Sequence, residues 1–106
     1  MPKFMIKASY TAEGVRGLLK EGGTGRRAAV QKVIEGIGGK VEAFYFAYGE
    51  SDAYVIADVP DATTGIAVSL AVNASGIVRV STIPLITPEE MDAASKKSVA
   101  YRAPGA

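Results

Sequence analysis

Residues 40–59 hold the feature that most constrains this chain. Lys40-Val41-Glu42-Ala43-Phe44-Tyr45-Phe46-Ala47-Tyr48 leads through the turn Gly49-Glu50-Ser51 into Asp52-Ala53-Tyr54-Val55-Ile56-Ala57-Asp58-Val59. Both flanks are rich in aromatic and β-branched residues, so they read as strands 40–48 and 52–59 of one hairpin. Strand side chains point alternately to the two faces of a sheet. Strict alternation puts Val41, Ala43, Tyr45 and Ala47 on one face of the first strand and Phe44, Phe46 and Tyr48 on the other. In the second strand, Ala53, Val55, Ala57 and Val59 oppose Tyr54 and Ile56. Neither face is polar. A sheet with one side in water alternates apolar with polar residues, so this hairpin needs cover on both sides.

The rest of the chain supplies cover for one of them. Phe4, Ile6, Ala8 and Tyr10 alternate along a first strand over 3–10. Thr11 can cap a short helix with Val15, Leu18 and Leu19 on its apolar side. Gly22 and Gly23 break it. Thr24 can then cap a principal helix near 24–38, where Ala29, Val30, Val33, Ile34 and Ile37 share a stripe that ends at Gly38-Gly39. Pro60 closes the hairpin, and Asp61 caps a second principal helix near 62–74 that contains Ile66, Leu70 and Ala74. Ser75-Gly76 breaks it before a fourth strand over 76–86. Thr87-Pro88-Glu89-Glu90 combines a cap, a first-position proline and acidic residues in the first turn, so it starts a terminal helix that ends near Lys96-Lys97. The tail to Ala106 reads as extended.

The order is β, α, β, β, α, β and a last helix. Two right-handed βαβ units interleave to give an α+β, ferredoxin-like βαββαβ domain, with a four-stranded antiparallel sheet and helices on one face. The chain has 106 residues, the size of one domain, so residues 1–106 are read as a single unit. Ala29, Val30, Val33, Ile34, Ile66 and Leu70 are the expected helix side of the core. Phe44, Phe46, Tyr48, Tyr54 and Ile56 are then left on the bare side. Each large apolar side chain left in water forgoes roughly 1.5–3 kcal/mol, and a patch of that extent marks an interface. The expected partner is a second copy of the chain, in a homodimer or larger assembly. The competing cover is the terminal helix and tail folded across the sheet.

Composition narrows the chemistry. The chain has no histidine and no cysteine. The commonest general base, the commonest transition-metal ligand and thiolate chemistry are therefore all missing. No metal and no cofactor are expected. A net charge of +1 provides no field to attract nucleic acid or an anionic membrane. No apolar run approaches the ~20 residues of a membrane span, and Met1-Pro2-Lys3-Phe4 does not open a secretion signal. The expected location is the cytoplasm.

The hairpin also carries a resemblance. Gly38-Gly39-Lys40-Val41-Glu42-Ala43-Phe44-Tyr45, Gly49-Glu50-Ser51-Asp52 and Val55-Ile56 resemble the GYD domain family. So do Pro60-Asp61, Ala74-Ser75-Gly76, Leu85-Ile86-Thr87-Pro88-Glu89-Glu90 and Tyr101-Arg102-Ala103-Pro104-Gly105. The likeness covers nearly the whole chain. It implies a dimeric α+β barrel, in which two sheets pack face to face. It implies no particular activity. The family motif is a Gly, a Tyr and an Asp in the hairpin turn. Here Gly49 and Asp52 are kept and Ser51 stands in the tyrosine's place.

The candidate binding residues lie on the same hairpin. Tyr45, Tyr48 and Tyr54 form an aromatic cluster that suits a core or interface, or else a pocket for a planar or anionic small molecule. Arg79 or Lys7 would supply charge to such a pocket. Asp52 is placed to bond backbone N–H groups in the turn, or to hold a ligand or a proton. Gly22-Gly23-Thr24-Gly25-Arg26-Arg27 lacks the spacing of a phosphate-binding loop and reads as a solvated loop. Its two arginines oppose the dipole of the following helix, which is unfavourable unless something negative is near. Two functions suit these residues: a small-molecule-binding or interaction module that self-associates, and, alternatively, a cofactor-independent enzyme of monooxygenase or isomerase type working in a cleft between sheet and helices. The missing histidine and cysteine favour the first. The second rests on fold analogy.

Overall fold

The computed structural model of the protein describes all 106 residues. Its elements in order are β1 (Lys3–Tyr10), α1 (Ala12–Glu21), α2 (Gly23–Gly36), β2 (Lys40–Phe46), β3 (Ala53–Asp58), α3 (Ala62–Ala74), β4 (Val78–Leu85) and α4 (Pro88–Ser95). The strands form one sheet in the order β2-β3-β1-β4, and every neighbouring pair is antiparallel. That is the α+β arrangement expected of two interleaved βαβ units, with the first helical segment divided in two and α4 added after the last strand.

Caps explain why the helices begin where they do. The Thr11 hydroxyl accepts from the Gly14 N–H at 3.2 Å and donates to the Ile77 carbonyl at 2.7 Å, so α1 is tied to the start of β4. Gly14 has to be glycine here, because a Cβ would come within 2.7 Å of the Ile77 oxygen. Asp61 accepts from the Thr64 N–H at 2.8 Å at the head of α3. That bond and the Thr64 hydroxyl hold its carboxyl below the usual carboxylate range. Thr87 and Glu90 form a reciprocal capping box on α4, with Pro88 in the first turn.

One boundary differs from expectation. Gly22 to Arg27 is not a solvated loop. A single residue, Gly22 at φ 81, turns the chain between α1 and α2, and α2 starts at Gly23 with no side-chain cap. Thr24 therefore lies inside the helix. The left-handed backbone at Gly22 costs glycine nothing, so the two helices join without a loop.

The sheet also corrects the assignment of faces. Val41 pairs with Ala57, but Ala43 pairs with Ile56, so β2 carries a bulge at Glu42. A bulge adds one residue and reverses the alternation beyond it. Phe44 consequently lies opposite Val55, and Phe46 opposite Ala53, both on the helix-covered face. Phe46 reaches α2, where a Cβ on Gly23 would come within 3.2 Å of its ring. The bare face holds Ala43 and Tyr45 from β2, with Tyr54 and Ile56 from β3. It continues through Met5 and Lys7 of β1 to Ser81 and Ile83 of β4.

The helices straddle the sheet. α2 packs on β2 and α3 on β4, the two edge strands. Asn73 fastens α3 to the outer edge of β4. Its side-chain oxygen accepts from the Val80 N–H at 2.7 Å, and its amide donates to the Val80 carbonyl at 3.3 Å. Ile34 is buried as expected, at 1% exposure, but Val33, Ile66 and Leu70 are more than half exposed. α3 is apolar on every side, so periodicity could not choose its inner face. Gly65 makes the choice: a Cβ there would already lie 3.2 Å from the Phe4 ring, so this side of the helix approaches the sheet most closely. Gly65, Val68, Ser69 and Val72 accordingly face inward, and Ile66 and Leu70 face out.

α4 and the tail do not cover the bare face. Every residue from Ile86 to Ala106 is exposed. They extend away from the body, giving a radius of gyration of 16.8 Å against about 13 Å for a chain of this length.

Ile34 joins α2 to the sheet and has no room to relax. Ile34→Ala should lower stability by about 2–5 kcal/mol, read as a shift of the urea midpoint at unchanged slope.

Candidate functional site

Because α2 and α3 stand over the edge strands, a cleft opens between them above β1 and β3. Its volume is about 370 Å³. Ile6, Ala8, Ala53 and Val55 make the floor. Val30 and Val33 of α2 form one wall, and Val68 and Val72 of α3 the other. Ligand cavities of this size with apolar linings and few polar groups are the usual form of small-molecule sites.

Tyr10 and Arg26 also line the cleft. Tyr10 is half-buried, and desolvation raises its phenol above the usual range; Arg26 opposes that shift, while Asp52 and Glu21 reinforce it. Arg26 Nη1 lies 3.6 Å from Glu21 Oε2. Arg26, Asp52 and Glu21 thus all act on the charge state of one phenol at the edge of a mainly apolar chamber.

The residues expected to form a site are spread along the bare side of the sheet rather than gathered. Tyr45 and Tyr54 are direct cross-strand partners on the bare face, and Tyr54 in turn faces Lys7 on β1. Arg79 lies on that face too, opposite Ser9, but on the far edge strand from Tyr45. Tyr48 is fully exposed beyond the end of β2. These four do not enclose a common pocket in the single chain.

Asp52 has a structural anchor. Its Oδ2 accepts from the Tyr10 N–H at 2.8 Å, and its own N–H donates to the Ala8 carbonyl at 2.8 Å. The Ala47 N–H donates to its carbonyl, also at 2.8 Å. Asp52 therefore pins the end of β1 to the hairpin at the backbone of Tyr10, whose side chain lines the cleft. Ser51, in the tyrosine's place, is buried at 5% exposure.

Sequence reading missed Tyr10 and Arg26 as site residues. Tyr10 read as one more strand aromatic. Arg26 did carry a signal, because a cation in the first turn of a helix is unfavourable without a negative neighbour.

No helix is long and apolar enough to cross a membrane. The fold and the two-faced sheet define a ferredoxin-like α+β domain with a cleft under its helices. The chain belongs to the GYD domain family, whose model matches residues 4–95. No match was found among curated proteins or among solved structures.

Asp52→Ala removes the acceptor of the Tyr10 N–H and should cost about 1–3 kcal/mol, the penalty of an unsatisfied buried donor. Asp52→Asn keeps an acceptor oxygen and should cost less than about 1 kcal/mol. Equal denaturant midpoints for the two variants would exclude this anchoring role.

Proposed function

We propose that the protein is a small-molecule-binding module that self-associates through the bare face of its sheet. The cleft between α2 and α3 carries the first half of this reading. A gap between helices would normally close by leaning them together. Here α2 and α3 are each held to an edge strand, by Phe46 beneath Gly23 and by Asn73 on Val80. An apolar ligand would complete the core in place of that closure.

The bare face supports the second half. Across its middle run Ala43, Ile56, Met5 and Ile83, an apolar rung through all four strands. At one end lie Lys7 and Arg79. At the other, Lys3 Nζ is paired with Glu42 at 2.7 Å and Asp58 at 3.0 Å, and Lys40 lies across from Asp58 on β2, so that end is neutral overall. Lys3 is correspondingly held above the usual lysine range by those two bonds. Two copies related by a twofold axis running across the strands would place the basic end of each face against the end of the other that carries Glu42 and Asp58, and keep the two basic ends apart. An isologous interface needs this kind of self-complementarity. The chain's own terminal segment leaves the face free.

Two measurements test the reading. Native mass spectrometry of gently purified protein should find a small organic molecule bound per chain, and Val72→Trp, which fills the cleft from α3, should remove it without loss of fold. A chain that carries no adduct and takes up no apolar fluorophore would end the cleft reading.

Light scattering at micromolar concentration should give at least twice the 11.0 kDa chain mass. Ile56→Asp should lower that mass by placing an unpaired charge in the middle of the apolar rung, between Met5 and Ala43. Phe46→Asp should instead lower stability, because Phe46 lies on the helix side. A monomeric wild type would end the assembly reading.

A further inference from the structure

Only three of the seventeen residues lining the cleft are polar by side-chain class: Arg26, Ser69 and Ser75. The two serines are already engaged. Ser69 shares a hydrogen bond with Thr82, and Ser75 Oγ donates to the Val72 carbonyl at 2.6 Å and accepts from the Ile77 N–H at 3.2 Å. Arg26 is different. The side chain as a whole is 31% exposed, but its Nε is covered by the protein and has no hydrogen-bond partner. A donor in that state costs stability until an acceptor arrives, and native proteins rarely keep one without a reason.

The geometry of the guanidinium says what the acceptor should be. Glu21 approaches Nη1, at a distance of 3.6 Å. Nε lies on the other edge of the group, where Nε–H and Nη2–H run parallel. That edge matches the two oxygens of a carboxylate. Arg26 also sits in the first turn of α2, which starts without a side-chain cap. The positive end of a helix and an arginine together favour an anion at this place. All the remaining lining is apolar apart from the Tyr10 hydroxyl.

We propose that Arg26 is the anion-binding residue of the cleft, and that the ligand is a small apolar molecule bearing a single carboxylate. The guanidinium turns to present its Nε–Nη2 edge, which the protein now covers at Nε, to the carboxylate, and the apolar body lies over Ala8, Ala53 and Val55 between the helices. This rests on the cleft being a ligand site, as argued above, and adds the chemical class of its occupant.

A matched pair of probes separates the two claims. 2-Naphthoate and its neutral analogue 2-naphthamide have the same shape and differ in charge. In calorimetric titration of the full chain, naphthoate should bind about tenfold or more tightly than naphthamide. Arg26→Gln should bring naphthoate down to the level of naphthamide and leave naphthamide unchanged, which also reports an intact cleft. Arg26→Lys, a charge without the fork, should fall between. Glu21→Gln should not weaken naphthoate. Equal binding of the two probes by the wild type would overturn the role of Arg26 while leaving the cleft reading in place. A carboxylate preference that survives Arg26→Gln would assign the anion to another group and overturn it equally. Binding of neither probe would remove both readings together.

Discussion

Strand β3 is the constraint on which the rest of the structure depends. It is paired on both sides, to β1 and to β2. Ala53, Val55 and Ala57, with Val59 just beyond the strand, are all buried beneath the helices. Two of these four are alanines, and Ala8 on β1 sits directly opposite Ala53. The sheet therefore has a shallow centre and bulkier flanks. Helices seek the close contacts, and these lie away from that small-residue patch: Phe4 and Val59, toward the other end of the two central strands, under Gly65 of α3, and Phe46 on the edge strand β2 under Gly23 of α2. The cleft is the space left above the small residues. It is specified by side-chain size at the floor and by anchoring at the edges, and larger residues at positions 8 and 53 would fill it.

Much of this was legible in the sequence, and the reasons are local. The caps Thr11, Asp61 and Thr87 mark helix starts through bonds made within one turn. Alternating apolar residues mark β1 and β3 within a residue of their observed ends. Three things were not legible. The bulge at Glu42 reverses the faces of Phe44 and Phe46, and residues 43–46, apolar on both sides, do not announce it; the one trace is that charged Lys40 and Glu42 share the parity of Phe44 and Phe46. The inner face of α3 is chosen by one glycine against Phe4, a contact across the fold. The cleft itself is a relation between two helices that are distant in sequence, so no window of residues contains it. Arg26 was the exception. Its awkward place at a helix start was visible, and only its neighbours Glu21 and Tyr10 give that awkwardness a meaning.

The alternation of β3 ties the two proposed surfaces together. Ala53 and Val55 look into the cleft, while Tyr54 and Ile56 look toward the bare face. One strand, six residues long, thus separates a proposed ligand from a proposed partner by the thickness of a sheet. The single chain buries only 10 of its 106 residues, a thin core for a domain that must offset the entropy of ordering its backbone. Ligand and partner would each supply apolar contact that the chain does not provide for itself. Whatever binds the folded state and not the unfolded one stabilises it in proportion to the logarithm of its concentration over its dissociation constant. Both occupants would therefore act on the same folding equilibrium, and each would favour the other, without any movement of the sheet between them, in proportion to the unfolded fraction it removes.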